Sequence, residues 1–170
     1  MKKPSPSKQE TFTRPLKELA EARVPYRVMT FEARDKSAEE VARETGFPLR
    51  QVIKTLLTQG GSKKYYLALC PGNQQVNLKS LAKTLNEKTV DLARREEVLQ
   101  VTGYFIGGVS PLGTHRSLPV VMEASILEMS EICISAGRWG CQIVIHPSLL
   151  REHLGNRITL ASFAQTFSEK

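Results

Sequence analysis

The chain of 170 residues carries 24 Lys and Arg against 17 Asp and Glu, a formal charge of +7, with 41% hydrophobic and 24% charged residues. This is the balance of one globular domain with enough chain to bury a core without staples, and no apolar run approaches the length of a membrane span. The positive excess favours a polyanionic partner, nucleic acid or a phosphate-bearing ligand, over a generic solvated basic surface.

Residues 1–12 are polar, contain Pro4 and Pro6, and are expected as a disordered tail. The lysines at the start have no apolar stretch behind them, so a secretory leader is not expected. Leu16, Leu19 and Ala20 lie at helical spacing behind Pro15, which predicts a helix over 13–24. Residues 26–31 read as a strand. Ser37-Ala38-Glu39-Glu40 has the form of a capping box and opens a helix that Gly46 ends. After a short turn over 48–51, Val52-Ile53-Lys54-Thr55-Leu56-Leu57 reads as a buried strand. Gln59-Gly60-Gly61-Ser62 turns the chain into a second strand over 64–70, and Pro71-Gly72-Asn73 turns it again. Asn77 caps a helix with Leu78, Leu81, Ala82 and Leu85 on one face. A short strand over 90–92, a charged surface helix over 93–100, and a strand starting at Tyr104-Phe105-Ile106 follow. Further strands are expected over 119–123, 131–135 and 142–145, and Ser148 is expected to cap a last helix ending near Leu154. Residues 161–170 carry no clear signal and are placed as a C-terminal tail, leaving a single domain over 13–160. Strands and helices without strict alternation predict an α/β (α+β) fold: a mixed, partly closed sheet or barrel with helices packed outside.

Lys54 stands out. In a strand it shares a face with Val52 and Leu56, while Ile53, Thr55 and Leu57 take the other. A lysine in such a run costs free energy unless something receives it. Either its stem snorkels to water or a carboxylate, or its ammonium projects into a ligand pocket. The densest motif is Thr102-Gly103-Tyr104-Phe105-Ile106-Gly107-Gly108-Val109-Ser110-Pro111-Leu112-Gly113. Such a loop can bring N–H groups up to a carbonyl or carboxylate oxygen, or it is a strand ending in a wide turn. It has neither the Walker lysine nor the dinucleotide fingerprint. Ser135-Ala136-Gly137-Arg138-Trp139-Gly140 is a similar transition. There Ser135 is a candidate donor, Arg138 a candidate phosphate or carboxylate contact, and Trp139 a stacking surface or local packing. His115, His146 and His153 have no ligand spacing, so neither a metal nor a cofactor is expected. Cys70, Cys133 and Cys141 are an odd set without metal spacing, expected as reduced thiols of a cytoplasmic protein.

Taken together, Val52-Ile53-Lys54-Thr55-Leu56, Pro71-Gly72 followed by Asn77-Leu78-Lys79, the 102–113 loop and Ser135-Ala136-Gly137-Arg138 resemble the YbaK family. Its members are freestanding relatives of the editing domain inserted in bacterial prolyl-tRNA synthetase. The order and spacing match from about Thr13 to about Leu154, and the details are most similar to the Cys-tRNA(Pro) deacylases. The resemblance implies a hydrolase that removes cysteine from mischarged tRNA(Pro), using the substrate's own thiol to attack the ester. It implies tRNA as partner, with prolyl-tRNA synthetase in a ternary complex, and no membrane.

Carried over by residue, Lys54 matches the family's critical lysine and is the implied catalytic residue, positioning the terminal adenosine or the ester. Gly107 and Pro111 match a Gly-x-x-x-Pro loop whose backbone would hold the substrate carbonyl, with Gly108, Val109 and Ser110 between them. Gly103 and Tyr104 match the approach to that loop, and Ser135 a pocket serine. Arg138 and Arg116 are candidate tRNA contacts. Phe31 stands where many members have tyrosine, and Trp139 and Cys141 also depart from the pattern. The lost hydroxyl at Phe31 leaves a second specificity open, another mischarged ester such as Ala-tRNA(Pro). A non-catalytic module that holds tRNA or the synthetase is the alternative from another class.

Overall fold

Alternation along one strand sets the layers. Ile53 and Leu57 turn to one side and join Leu67, Leu69, Val120 and Met122 in the main core, while Lys54, Leu56, Ala68 and Val121, which alternate with them, face the other way. The structure, a computed structural model, describes residues 12–167; of the expected N-terminal tail only Phe12 falls within them. In chain order the elements are α1 (Arg14–Glu21), β1 (Arg27–Thr30), α2 (Ala38–Thr45), β2 (Ile53–Gly60), β3 (Tyr65–Pro71), β4 (Gln74–Val76), α3 (Leu78–Leu85) and β5 (Val90–Leu92). They continue with α4 (Arg95–Thr102), β6 (Val120–Glu123), β7 (Ile132–Ser135), β8 (Cys141–Ile145), α5 (Pro147–Leu154), β9 (Ile158–Ala161) and β10 (Ala164–Thr166).

The expected mixed sheet with helices outside is present. Five strands run in the order β5-β2-β3-β6-β9, antiparallel from β5 to β3 and parallel from β3 to β9. A second, antiparallel sheet runs β1-β8-β7. The two share the main core, where Ile132, Ile134, Ile143 and Ile145 meet the β2–β3–β6 residues and Leu16 and Leu19 of α1. A parallel bridge between Val52 and Cys133 joins the sheets. On the outer face of the larger sheet, α3 lays Leu81 and Ala82 on Ala68, Cys70 and Val121. Helix α2 packs Ala38, Val41 and Ala42 near Val52, Cys133 and Val144.

Several local expectations change. Tyr104-Phe105-Ile106 is not a strand: α4 runs through Thr102, Gly103 ends it at φ +80°, and the chain turns again at Gly107 with φ +87°. Both glycines take a left-handed conformation that a continuing strand excludes. The helix α4 is less superficial than its charge suggests, since Val98, Val101 and Thr102 are buried. Ser37 caps α2 by accepting from Glu40 N–H at 3.1 Å, but Glu40 does not close a capping box. Its buried carboxylate accepts from the N–H groups of Arg34 at 2.7 Å and Asp35 at 2.6 Å. The Ser37 N–H and hydroxyl both turn to Asp35, and these bonds hold the Asp35 carboxyl below its ordinary value. The last helix begins at Pro147 with His146 as its cap, whose Nδ1 accepts from Ser148 N–H at 3.2 Å. Proline fits the first helical position because its missing N–H is not needed there.

The C-terminal stretch is no tail as far as Phe167. Strand β10 pairs antiparallel with β4, and Phe163 is 1% exposed against α3. Glu123, itself 7% exposed, holds this stretch in place: its carboxylate accepts from the N–H groups of Phe163 and Ala164, each at 2.7 Å. Charged acceptors are the stronger hydrogen-bond partners, and a buried N–H without one is costly. Glu123→Ala is therefore expected to lower the unfolding free energy by about 2–3 kcal/mol, read as a lower midpoint in chemical denaturation, with Glu123→Gln recovering part of the loss.

Candidate active site

Lys54 sits opposite Cys70 in the β2–β3 register, at the margin of the face that α3 covers. It is half-buried, as its place in an apolar run requires. Its ammonium donates to the Gln74 carbonyl of β4 and lies 5.0 Å from the centre of the Phe167 ring. The pairing of β4 with β10 brings both partners to it. Around the lysine is a cavity of about 400 Å³, lined by Lys54, Thr55, Val52, Ile53, Gly107, Val109, Ser135, Gln142 and Phe167, with Lys36 and Glu39 contributed from the start of α2. Thr55 adds a buried hydroxyl with no hydrogen-bond partner among the described residues, which suits it to a ligand's polar group.

The far wall is the glycine loop, and side chains of the 135–139 turn hold it there. The Ser135 hydroxyl donates to the Gly108 carbonyl at 3.0 Å and accepts from Gly137 N–H at 3.1 Å. Trp139 Nε1 donates to the Ile106 carbonyl at 3.0 Å. Beneath the loop, the Tyr104 hydroxyl donates to the Leu112 carbonyl at 2.6 Å, and Leu112 N–H donates to the Ser110 hydroxyl at 3.3 Å. Burial pushes the Tyr104 phenol up to about 12. The Arg14 guanidinium lies 4.7 Å from its ring centre.

The structure thus gathers Lys54, Gly107, Val109 and Ser135 at one cavity. Gly108 and Arg138 face a neighbouring groove across the loop. Gly103, Tyr104, Ser110 and Pro111 line neither space; Gly103 ends a helix, and the other three are buried in the loop's base. Phe31 lines neither as well, and its backbone N–H donates to the Gly140 carbonyl at 2.9 Å. Arg116 stands apart, 5.9 Å over the Tyr65 ring. Lys36, Thr55, Gln142 and Phe167 were not singled out from the sequence. Thr55 adjoins Lys54 in the same strand and was within reach of it; nothing local to Phe167 marks it.

Among the described residues the cavity offers no activated protein nucleophile. The Ser135 hydroxyl is committed on both sides, and the Ser37 hydroxyl bridges Asp35 and Glu40 N–H. The three cysteines are free and buried. Burial pushes the Cys70 thiol up to about 11 despite the nearby Lys54 charge, and the Cys133 thiol up to about 12. Cys141 is raised by burial as well. A thiol held protonated is a poor nucleophile.

A sequence profile of the aminoacyl-tRNA editing domain matches residues 33–153. The chain belongs to the aminoacyl-tRNA editing family. It is a hydrolase of the aminoacyl-tRNA ester bond. EbsC of Enterococcus faecalis, whose name gives it as a candidate Cys-tRNA(Pro)/Cys-tRNA(Cys) deacylase, is 32% identical over 145 residues, 84% of this chain and 88% of that protein. The proline–tRNA ligase of Fervidobacterium nodosum is 29% identical over 99 residues, 58% of this chain, and the match spans 17% of the ligase. A solved structure of a candidate trans-editing enzyme for prolyl-tRNA synthetase superposes with a TM-score of 0.75 at 26% identity, over 82% of this chain and 87% of that one. No helix among the described residues is long and apolar enough to cross a membrane.

Two expectations follow from this geometry. A Cβ at Gly107 would stand 2.4 Å from the Lys36 Cβ in a left-handed backbone, whereas at Gly46, also left-handed, nothing lies within 4 Å. Gly107→Ala therefore carries overlap as well as strain and is expected to cost about 1–3 kcal/mol, more than Gly46→Ala, measured by denaturant unfolding. The buried, protonated thiols are expected to resist iodoacetamide in the native protein at mildly alkaline pH, while denaturant exposes all three; native labelling of any one, seen by mass spectrometry, contradicts that protection.

Proposed function

We propose that the protein is a cytoplasmic, trans-acting deacylase that clears cysteine from mischarged tRNA(Pro). The observation that carries this reading is a lysine ammonium at a cavity closed by a glycine loop, with no activated protein nucleophile beside it. Such a cavity suits a substrate that brings its own nucleophile. The cysteinyl sulfur attacks the ester carbonyl carbon; the C–S bond forms, the C–O bond to the ribose breaks, and the thiol proton passes to the ribose oxygen. Water then opens the thiolactone to free cysteine.

Lys54 serves by position. An ammonium has three N–H donors, and the Gln74 carbonyl takes one. The others are available to the terminal ribose and the ester oxygen, where a charge-assisted hydrogen bond stabilises developing negative charge. The Gly107–Val109 backbone flanks the same space and receives the carbonyl. Val52, Ile53 and Val109 supply an apolar bed for a small side chain. The similarity to EbsC and to the inserted synthetase domain supports the substrate class. Positive charge over the chain suits tRNA, and prolyl-tRNA synthetase in a ternary complex is the proposed source of tRNA selectivity.

Purified protein incubated with Cys-tRNA(Pro), Ala-tRNA(Pro) and Pro-tRNA(Pro) is expected to release cysteine alone. S-Methylcysteinyl-tRNA(Pro), which lacks the free thiol, should survive. Lys54→Ala is expected to lower cysteine release about 100-fold or more, the scale of losing one oxyanion donor, with its thermal unfolding midpoint kept. Equal loss of the alanyl ester would move the chemistry to an attacking water and the specificity elsewhere; full activity in a folded Lys54→Ala protein would remove that residue from the site.

A further inference from the structure

Across the glycine loop from Lys54 lies a larger space, a groove of about 820 Å³, within the range of ligand clefts. It shares Lys36 and Ile106 with the smaller cavity, so the two open on either side of one wall. Its surface combines two features. Phe105 is 71% exposed, Trp139 46% and Leu99 42%, three large apolar side chains at one place. Beside them stand Arg95, Arg138 and Lys36 against a single acid, Glu96. The Trp139 ring is held in place: its Nε1 donates to Ile106 and the Lys36 ammonium lies 5.8 Å from its centre.

We propose that this groove binds the unpaired 3′ nucleotides that precede the terminal, aminoacylated adenosine of tRNA. Exposed aromatic faces among cations are what single-stranded nucleic acid needs, since bases stack on the rings and phosphates meet the guanidinium groups. The proposal rests on the aminoacyl-tRNA reading of the adjoining cavity and extends it. With the ester at Lys54, the strand crosses the wall near Lys36, Trp139 and Phe105 take the bases, and Arg95 and Arg138 take the phosphates. The charge balance favours RNA over a protein surface as the occupant.

Trp139 is the chain's single tryptophan, so its fluorescence reports on the groove. An uncharged acceptor-stem minihelix ending in an unpaired 3′-CCA is expected to quench it saturably, and a blunt duplex of the same length is expected not to. Phe105→Ala, which removes an exposed ring, is expected to weaken binding roughly tenfold. Arg95→Ala is expected to reduce the slope of log affinity against log salt by about one. Equal quenching by the blunt duplex, or wild-type binding by both variants, overturns the proposal. Quenching by prolyl-tRNA synthetase and not by the minihelix also overturns it and gives the groove to a protein. Because binding is read without hydrolysis, a protein that quenches on the minihelix yet cleaves no aminoacyl ester sinks the deacylase reading and leaves the groove standing.

Discussion

The Ser135 hydroxyl is the pin of this molecule. The segment from Tyr104 to Gly113 has no ladder partner, so its carbonyls must find donors elsewhere or face water. Ser135 supplies one to Gly108 and Trp139 supplies one to Ile106, both from the turn that leaves β7. Ser135 also accepts from Gly137, which fixes the turn that carries Trp139. One hydroxyl thereby couples two loops, and their junction is the wall between the two spaces. A hydroxyl spent in this way is unavailable for covalent chemistry, so support of the wall and nucleophilic catalysis exclude one another at this position.

The opposite side of the small cavity is held by longer-range links. Lys54 belongs to a central strand, where half-burial would be costly without partners. Its partners come from elsewhere in the chain: the Gln74 carbonyl from β4 and the Phe167 ring from beyond β10. That pairing depends on Glu123, which fastens the chain at Phe163 and Ala164. A buried carboxylate at the end of β6 thus helps set the surroundings of an ammonium two strands away in the same sheet. The other entrance residue, Lys36, owes its place to Glu40, whose carboxylate folds the 34–37 segment back over the start of α2. Both lysines at the cavity are therefore located by acids that make no ion pair with them.

What was readable in the sequence follows the range of the physics. Ser37 and Asn77 cap helices through bonds only three residues long, and Gly46 ends α2 with a left-handed turn; such features declare themselves locally. Alternation around Lys54 identified its strand and its faces because every residue in that run reports burial. Tyr104-Phe105-Ile106 misled for the same reason. The trio has strand-like composition, but its rings serve the loop's base and an open groove, and the glycines on either side bend the chain. Strands β4 and β10 are short and polar, stabilised by each other across some ninety residues, and no local pattern announces such a pair. Lys54, Gly107 and Ser135 were legible as a set through their resemblance to a family. Phe167 and Lys36 became visible only once the chain had folded.

The composition of the small cavity bears on how cysteine would be selected. Cysteine, alanine and proline differ by little in size, and an apolar pocket discriminates such side chains by only about 10–200-fold per methylene. A bed of Val52, Ile53 and Val109 gives no sharper sieve than that, and Phe31 adds no hydroxyl to it. Under the proposed chemistry it need not. Proline and alanine carry no thiol, so they can occupy the cavity and leave with their ester intact. Selection then lies in the reaction rather than in the fit, and the wall has only to hold the ester carbonyl within reach of the attacking sulfur. A cavity without its own nucleophile is in that case part of the specificity. An activated serine or cysteine beside Lys54 would cleave every ester that entered, the correctly charged prolyl ester included.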